Sequence, residues 1–414
     1  MRRRFDVLIV GMGPAGIGAA CAAAESGLEV GIVDDNPHEG GQIWRGEAAN
    51  PSSKLAAMWI ARFRAARVET LSETRVVDAP GPGMLLAECG DAPLELQYGK
   101  LILATGARER FLPFPGWTLP NVMGAGGLQA LVKGGVPIDG KRVVVAGSGP
   151  LLLAVAAYLQ KRGATVALIA EQAGWARLAR FGLGIAREPA KIYQGLSLKF
   201  ALRRVPYLTG CWPAQALGEN RLAEVVLKTT TNTWREPCDY LACGFGLVPN
   251  IELPVLLGCT IRNGFVAVNE WQETSLSGVY CAGEPNGIGG VELALIEGQI
   301  AGFATAGLEN QARRRFAARA RALWFRNGLD KAFALRDELR SIATPDTIVC
   351  RCEDVPLERM RAHTAWRQAK LQTRCGMGPC QGRICGPAAE FLLGWKQESV
   401  RPPIFPVRLD HFTR

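Results

Sequence analysis

The sequence predicts an α/β chain made of two β–α–β folds, one inserted within the other, followed by a small thiol-rich domain. Three observations carry this. Two glycine fingerprints each stand between a strand-like run and a helix-like run. A further apolar strand ending in a glycine and an acid returns near residue 280, and five of the twelve cysteines crowd between positions 350 and 385. At 414 residues the chain is too long for one ordinary core, so two or three domains are expected. Its 48 glycines follow no Gly-X-Y period, which fits tight turns and phosphate loops.

Composition narrows the class. With 48% hydrophobic and 21% charged residues the chain reads as a well-packed soluble protein. Its formal charge of +10 would suit an anionic cofactor, an acidic partner or nucleic acid. The densest basic stretch is Arg313, Arg314, Arg315, Arg319, Arg321 and Arg326. At helical spacing these arginines cover more than one side, the pattern of a solvated helix with an apolar seam, and no nucleic-acid motif accompanies them. Met1 to Arg4 precede an apolar run, but Gly11, Gly13, Pro14 and Gly16 interrupt it, so a strand, turn and helix explain it better than an export signal. No run of about 20 apolar residues predicts a transmembrane helix. The seven scattered cysteines read as reduced thiols and the crowded five as a metal site, which places the protein in the cytoplasm, with peripheral attachment to the inner membrane kept open.

The first fingerprint is complete. Phe5 to Val10 reads as a buried strand, followed by Gly11-Met12-Gly13-Pro14-Ala15-Gly16, a small-residue helix to Ser26, and a second strand Val30 to Val33 that ends at Asp34. Gly11 permits the turn, Gly13 lets a pyrophosphate approach the backbone, Gly16 lets the helix close on the strand, and Asp34 is placed to accept from a ribose hydroxyl.

The second fingerprint departs from this pattern. The strand Arg142 to Ala146 leads into Gly147-Ser148-Gly149-Pro150, a helix over Leu151 to Lys161, and a strand Thr165 to Ala170 ending at Glu171. The third glycine position holds Leu152, whose bulk should push the helix outward and narrow the room for a pyrophosphate. This counts against NAD(P) and leaves open a site kept for structure or adapted to another nucleotide such as ATP. No cysteine pair follows Gly40-Gly41 and no CxxC lies in the second fold, so thiol–disulfide reduction is not expected; Cys238 and Cys243 read as core residues on opposite sides of a strand.

The cysteine cluster reads Cys350-Arg351-Cys352, then Cys375-Gly376-Met377-Gly378-Pro379-Cys380-Gln381-Gly382-Arg383-Ile384-Cys385. Thiolates suit Zn²⁺ or an iron–sulfur centre, and a [2Fe–2S] cluster needs four. Cys350 with Cys352, and Cys380 with Cys385, form two close pairs, which leaves Cys375 outside the expected set. A zinc knuckle or plain buried thiols are the rival readings.

Other segments carry a resemblance. Leu101-Ile102-Leu103-Ala104-Thr105-Gly106-Ala107 is similar to the "ATG" strand of two-dinucleotide flavoproteins, and Gly40-Gly41-Gln42 matches a turn in the same proteins. Gly278-Val279-Tyr280-Cys281-Ala282-Gly283-Glu284 resembles their second flavin motif, with Glu284 where Asp is usual; Gly287 to Gly290 then opens a helix whose N-terminal amides would face the flavin. With CRCEDV and GMGPCQGRIC added, nearly the whole chain resembles the larger flavin and iron–sulfur subunit of heteromeric amino- and imino-acid dehydrogenases, the group of opine oxidase, D-hydroxyproline dehydrogenase and hydrogen cyanide synthase. The cysteine domain is similar to bacterioferritin-associated ferredoxin.

The resemblance implies a two-dinucleotide-binding-domain flavoprotein (glutathione-reductase-like) with a ferredoxin-like [2Fe–2S] domain. FAD would lie on Gly11, Gly13, Pro14, Ala15, Gly16, Asp34, Gly41, Gln42, Ala104, Thr105, Gly106, Gly283, Glu284 and Gly290, and the cluster on Cys350, Cys352, Cys380 and Cys385. The domains expected are FAD-binding at 1–110 and 251–310, the inserted fold at 111–250, a basic connector at 311–345, the cluster domain at 346–390 and a Pro-rich tail at 391–414 that lies against a neighbour. A smaller flavoprotein subunit of the D-amino-acid-oxidase type would oxidise the substrate. A third small subunit, together with a downstream acceptor, completes the partners, and some relatives hold an FMN between subunits. Catalytic acid–base residues are not expected here: His38, His363 and His411 read as surface or packing residues. The basic, partly helical stretch Ala173 to Arg204 is a candidate partner surface. A self-sufficient NAD(P)H-dependent reductase and a non-enzymatic redox sensor are the competing readings.

Overall fold

A computed structural model of the chain describes residues 1–47, 53–184, 189–397, 399–408 and 410. His411 lies outside the described residues. The chain divides into two compact units, one of Met1–Arg108, Val248–Arg326 and Glu398–Arg414, the other of Glu109–Leu247 and Asn327–Gln397.

The first unit opens with β1 (Arg2–Val10), α1 (Pro14–Ala23), β2 (Val30–Val33), α2 (Lys54–Ala65), β3 (Val68–Leu71), β4 (Thr74–Gly81), β5 (Met84–Cys89) and β6 (Ala92–Leu103). After β7 (Ala107–Glu109) come β8 (Val122–Gly124), α3 (Ala125–Lys133), β9 (Arg142–Ser148), α4 (Leu151–Lys161), β10 (Thr165–Glu171), α5 (Trp175–Gly184) and α6 (Pro189–Ala201). The second unit goes on with β11 (Tyr207–Thr209), β12 (Trp212–Leu217), β13 (Glu224–Lys228), β14 (Thr233–Pro237) and β15 (Tyr240–Phe245). The chain returns through β16 (Leu247–Pro249), α7 (Glu252–Leu257), β17 (Ile261–Arg262), β18 (Phe265–Val266), β19 (Val279–Cys281), α8 (Gly290–Thr305) and α9 (Glu309–Arg313). It then runs along α10 (Phe316–Ala332) to β20 (Ile348–Cys350), β21 (Val355–Pro356), α11 (Leu357–Arg361), α12 (Trp366–Thr373) and α13 (Cys385–Leu393).

In the first unit a seven-stranded sheet has the order β3-β2-β1-β6-β5-β4, with β19 also paired to β6. Its β3-β2-β1-β6 part and the β19 pairing are parallel. These strands are apolar on both faces (Val7, Leu8, Ile9, Leu101, Ile102 and Leu103 are all fully buried), as a sheet covered on both sides requires. In the second unit five parallel strands follow the order β11-β10-β9-β15-β8, beside the antiparallel sheet β12-β13-β14.

The residues expected as a connector, 311–345, are divided: those through Arg326 pack with the first unit and those from Asn327 with the second. The thiol-rich segment packs in the same unit as the inserted fold. Leu339 is fully buried in that fold's core, with Leu335, Ile342 and Phe391 against it, and the Trp117 indole N–H donates to the Ile348 carbonyl at 2.6 Å.

Two expectations are corrected. The basic stretch is not one solvated helix: it breaks at Arg314 and Arg315 between α9 and α10, and while Arg313, Arg314 and Arg321 are exposed, Arg315, Arg319 and Arg326 are half-buried, Arg319 beside the buried Glu297 and Arg326 over the Phe265 ring. Cys238 lies in the link between β14 and β15, and it and Cys243 enter one core instead of facing apart. Within the Pro-rich tail, Ile404 is buried and its N–H donates to the Val77 carbonyl of β4 at 2.9 Å, so this part of the tail packs on the first unit.

Candidate functional site

The first glycine loop is built by close approach. The Gly11 N–H donates to the Val33 carbonyl at 2.8 Å and the Ala104 N–H to the Val10 carbonyl at 2.8 Å, so the ends of β1, β2 and β6 are tied at one point. A Cβ on Gly16 would stand 1.8 Å from the Gly11 carbonyl oxygen, so only glycine lets α1 start against this turn. Pro14 occupies the first turn of α1, where no N–H is needed. Gly41, in a left-handed conformation at φ +58°, lies so close to Gly13 that a Cβ would meet its Cα at 2.9 Å. The turn carrying Gly41 and Gln42 is thus folded onto the loop, and the Gly40 N–H donates to the Met12 carbonyl at 2.9 Å.

Asp34 ends β2 as expected, and its carboxylate accepts from the Met12 N–H at 2.6 Å and from the Asn36 N–H at 2.8 Å. Thr105 follows β6, donating its hydroxyl to the Asn250 carbonyl at 2.6 Å, while Arg108 donates to the Asn250 side chain at 2.7 Å. Gly283 follows β19 and would meet the Ala15 side chain at 2.8 Å if it carried a Cβ, so the second motif closes on the first helix. The Glu284 carboxylate accepts from the Gly290 N–H at 3.0 Å and so sits at the N-terminus of α8. Gln42 is exposed and accepts from Arg45 at 2.8 Å. The loop residues of the expected FAD set therefore gather at the C-terminal ends of parallel strands, with two helix N-termini, the arrangement that receives a dinucleotide.

Sequence reasoning missed Glu297. It lies on α8, is 1% exposed, and accepts from the Gly283 N–H at 3.0 Å. Burial pushes its carboxyl up to about 7, against the pull of Arg319, whose guanidinium stands 3.8 Å away. The signal was present as a lone acid inside the apolar run Leu293 to Ile300.

The thiol centre gathers all five crowded cysteines. The sulfurs of Cys350, Cys375 and Cys385 lie within 4.8 Å of one another and are buried. Cys352 is exposed, its Sγ 3.9 Å from that of Cys380. Cys375, left outside the expected ligand set, thus stands inside the cluster, between β20 and the start of α13. Hydrogen bonds from Cys375 and Cys385 hold the Cys350 thiol far below its usual value, and the Gly376 N–H donates to the same sulfur at 3.5 Å. Five converging soft donors, with a backbone amide aimed at one of them, fit an iron–sulfur centre. The remaining seven cysteines are free thiols, six of them buried.

Elsewhere His38 is exposed and His363 half-buried. Trp175 and Leu183 on α5, and Tyr193, Leu196 and Phe200 on α6, are all strongly exposed.

Fold and site define an oxidoreductase of the two-nucleotide-fold class with a thiol-rich C-terminal centre. The chain belongs to the pyridine nucleotide-disulphide oxidoreductase family, which matches residues 5–298 and implies FAD as cofactor. Among relatives, hydrogen cyanide synthase subunit HcnB of Pseudomonas aeruginosa is 33% identical, with 98% of this chain and 97% of that protein covered. An opine oxidase subunit of Rhizobium meliloti is 31% identical, with 98% and 97% covered. The crystal structure of L-proline dehydrogenase from P. horikoshii has the same fold, at TM-score 0.68 and 21% identity, covering 100% of this chain and 80% of that one. No helix among the described residues is long and apolar enough to cross a membrane.

Proposed function

We propose that this chain is the FAD- and [2Fe–2S]-containing electron-transfer subunit of a heteromeric dye-linked dehydrogenase. The complex would oxidise an amino or imino acid of the opine or D-hydroxyproline type, in a partner flavoprotein subunit. The observation that carries the reading is the centre of three buried thiols joined by the Cys352 and Cys380 pair, in a chain alignable over nearly its whole length with subunits of hydrogen cyanide synthase and opine oxidase.

When bound, the flavin supplies two-electron chemistry and the cluster one-electron transfer. The chain's own residues do the rest. The loop from Gly11 to Gly16 and the N-terminus of α1 receive the pyrophosphate, and Asp34 the ribose. Glu284 and Gly290 present the N-terminus of α8. Cys350, Cys352, Cys380 and Cys385 would hold the cluster, with the Gly376 N–H donating to the Cys350 sulfur. An FMN at the subunit boundary and a third small subunit belong to the same reading. The exposed aromatic and aliphatic side chains of α5 and α6, in a stretch rich in Arg and Lys, suit docking of the partner. Peripheral membrane attachment would go with a membrane-bound acceptor.

The test is co-purification with candidate partner subunits, followed by an amino- and imino-acid screen with an artificial electron acceptor. Expected are flavin and iron–sulfur absorption in this chain and dye reduction only by the complete complex. Rapid bleaching of the isolated chain's flavin by NADH, without any partner, would overturn the reading in favour of a self-sufficient reductase.

A further inference from the structure

The crevice at the strand ends of the second fold is where an open α/β sheet takes its ligand, because β9 has neighbours on both sides whose connections leave in opposite directions. That crevice is lined by Ser148 at the end of β9 and by Glu171 and Gln172 at the end of β10, all buried. A peptide segment of the same chain and the same compact unit lies across it. The Ser148 hydroxyl donates to the Phe333 carbonyl at 2.9 Å. The Gln172 amide donates to the Ser148 hydroxyl at 2.9 Å and to the Ala334 carbonyl at 3.3 Å, and its oxygen accepts from the Arg336 N–H at 3.1 Å. Arg177 donates to the Ala334 carbonyl at 3.1 Å. The Phe333 ring meets Phe181 edge-on at 5.9 Å between centroids, and the Arg336 guanidinium lies 4.7 Å over the Trp212 ring.

We infer that this crevice is a peptide-binding site whose ligand is the chain's own segment Phe333–Arg336, and that it admits no nucleotide while that segment is seated. The site is built for an extended backbone: two carbonyls and one N–H are each met by a side chain fixed on the second fold, and an aromatic contact stands at each end. Two amides of the loop are engaged within the second fold. The Gly149 N–H already donates to Glu171 at 2.8 Å, and the Leu152 N–H to the Gly149 carbonyl at 3.1 Å. Leu152 itself is 1% exposed and packs toward β15, filling the space that a third glycine would leave. The segment leads through Leu339 into the thiol-rich domain, so the crevice anchors the arm that carries the cysteines.

Hydrogen–deuterium exchange on the full chain tests this, with NADH, NADPH or ATP added in turn and binding followed by calorimetry. The Arg336 amide should exchange slowly, no nucleotide should bind saturably through the second fold, and Ser148→Ala should speed exchange over 333–336 about five- to tenfold, the effect of one neutral hydrogen bond. Arg177→Ala, at an exposed position that leaves the core intact, should do the same more weakly. Free exchange of 333–336 in the wild type overturns the inference. So does a nucleotide that protects 147–152 while 333–336 stays protected. This outcome is separable from failure of the proposed function: a nucleotide that binds the second fold without bleaching the flavin defeats the peptide site alone.

Discussion

The two β–α–β folds of this chain share a plan down to the use of one acid. In each, the carboxylate at the end of the second strand turns back to its own glycine loop: Asp34 accepts from the Met12 N–H at 2.6 Å, Glu171 from the Gly149 N–H at 2.8 Å. They diverge at the third glycine. Gly16 lets α1 begin within contact of the Gly11 carbonyl, whereas Leu152 is turned into the core beside Gly244. Around the first loop gather the Gly41 turn and the Gly283 motif; across the second lies Phe333–Arg336. A scaffold can therefore keep its sheet, loop and acid while changing what occupies the strand ends, and the change is concentrated in a few side chains.

Exchanging the divergent residues is the harshest test of that comparison. Gly16→Leu should abolish flavin binding and cost the first unit more than about 3 kcal/mol, since the new side chain meets backbone. Flavin absorbance after purification and a urea transition would check it; retained flavin would show that the third glycine is not what separates the two folds. The reciprocal Leu152→Gly should cost about 3–5 kcal/mol through its cavity without creating NADH-driven flavin reduction. If NADH did reduce the flavin of that variant, Leu152 alone would exclude nucleotide and the seated segment would be incidental.

Among the described residues each unit also buries one glutamate, which sharpens the comparison by pH. Burial raises Glu171 and Glu297 from 4.5 to about 7. The folded chain then holds a proton that the unfolded chain releases, so this contribution to stability is complete below about pH 4.5 and is lost as pH rises through about 7. Glu171→Gln and Glu297→Gln should each flatten the fall by on the order of 3 kcal/mol, read from urea midpoints across that window. A slope unchanged by both would mean that neither acid keeps its proton. The smallest effect expected is from Asp34→Asn, which keeps the shape but weakens acceptance from Met12. FAD affinity should drop about tenfold, near 1.4 kcal/mol, while the matched Glu171→Gln leaves FAD affinity unchanged. Equal losses in the two variants would sink the assignment of the first fold to FAD.

Legibility in the sequence followed the range of the interactions. The first loop could be read because its constraints lie within a few residues, and strand β2 was expected at Val30 to Val33, where it is found. Spacing could not show that Cys375 joins Cys350 and Cys385, because the turn that brings it there depends on residues on either side of two helices. Nor could it show which arginines of the basic stretch face inward, since Glu297, which Arg319 meets, is fixed by α8 packing and not by local pattern. The bond from Ser148 to Phe333 spans 185 residues and has no local signature at all.

The Pro-rich tail has a consequence for the order in which this protein can fold. The first unit is assembled from three separated stretches, the last of them Glu398–Arg414, where Ile404 inserts beside β4 and Arg408 bonds to Asp91 at 2.6 Å. That unit cannot be completed until Ile404 and Arg408 have been synthesised, and the bond to Asp91 joins positions 317 residues apart. Such long-range closure slows folding. A chain stopped at Gln397 would keep every residue of the second unit, yet leave apolar surface on β4 uncovered. Tail and sheet edge thus make the first unit, whose first strands precede the second unit in the chain, the last of the two to be sealed.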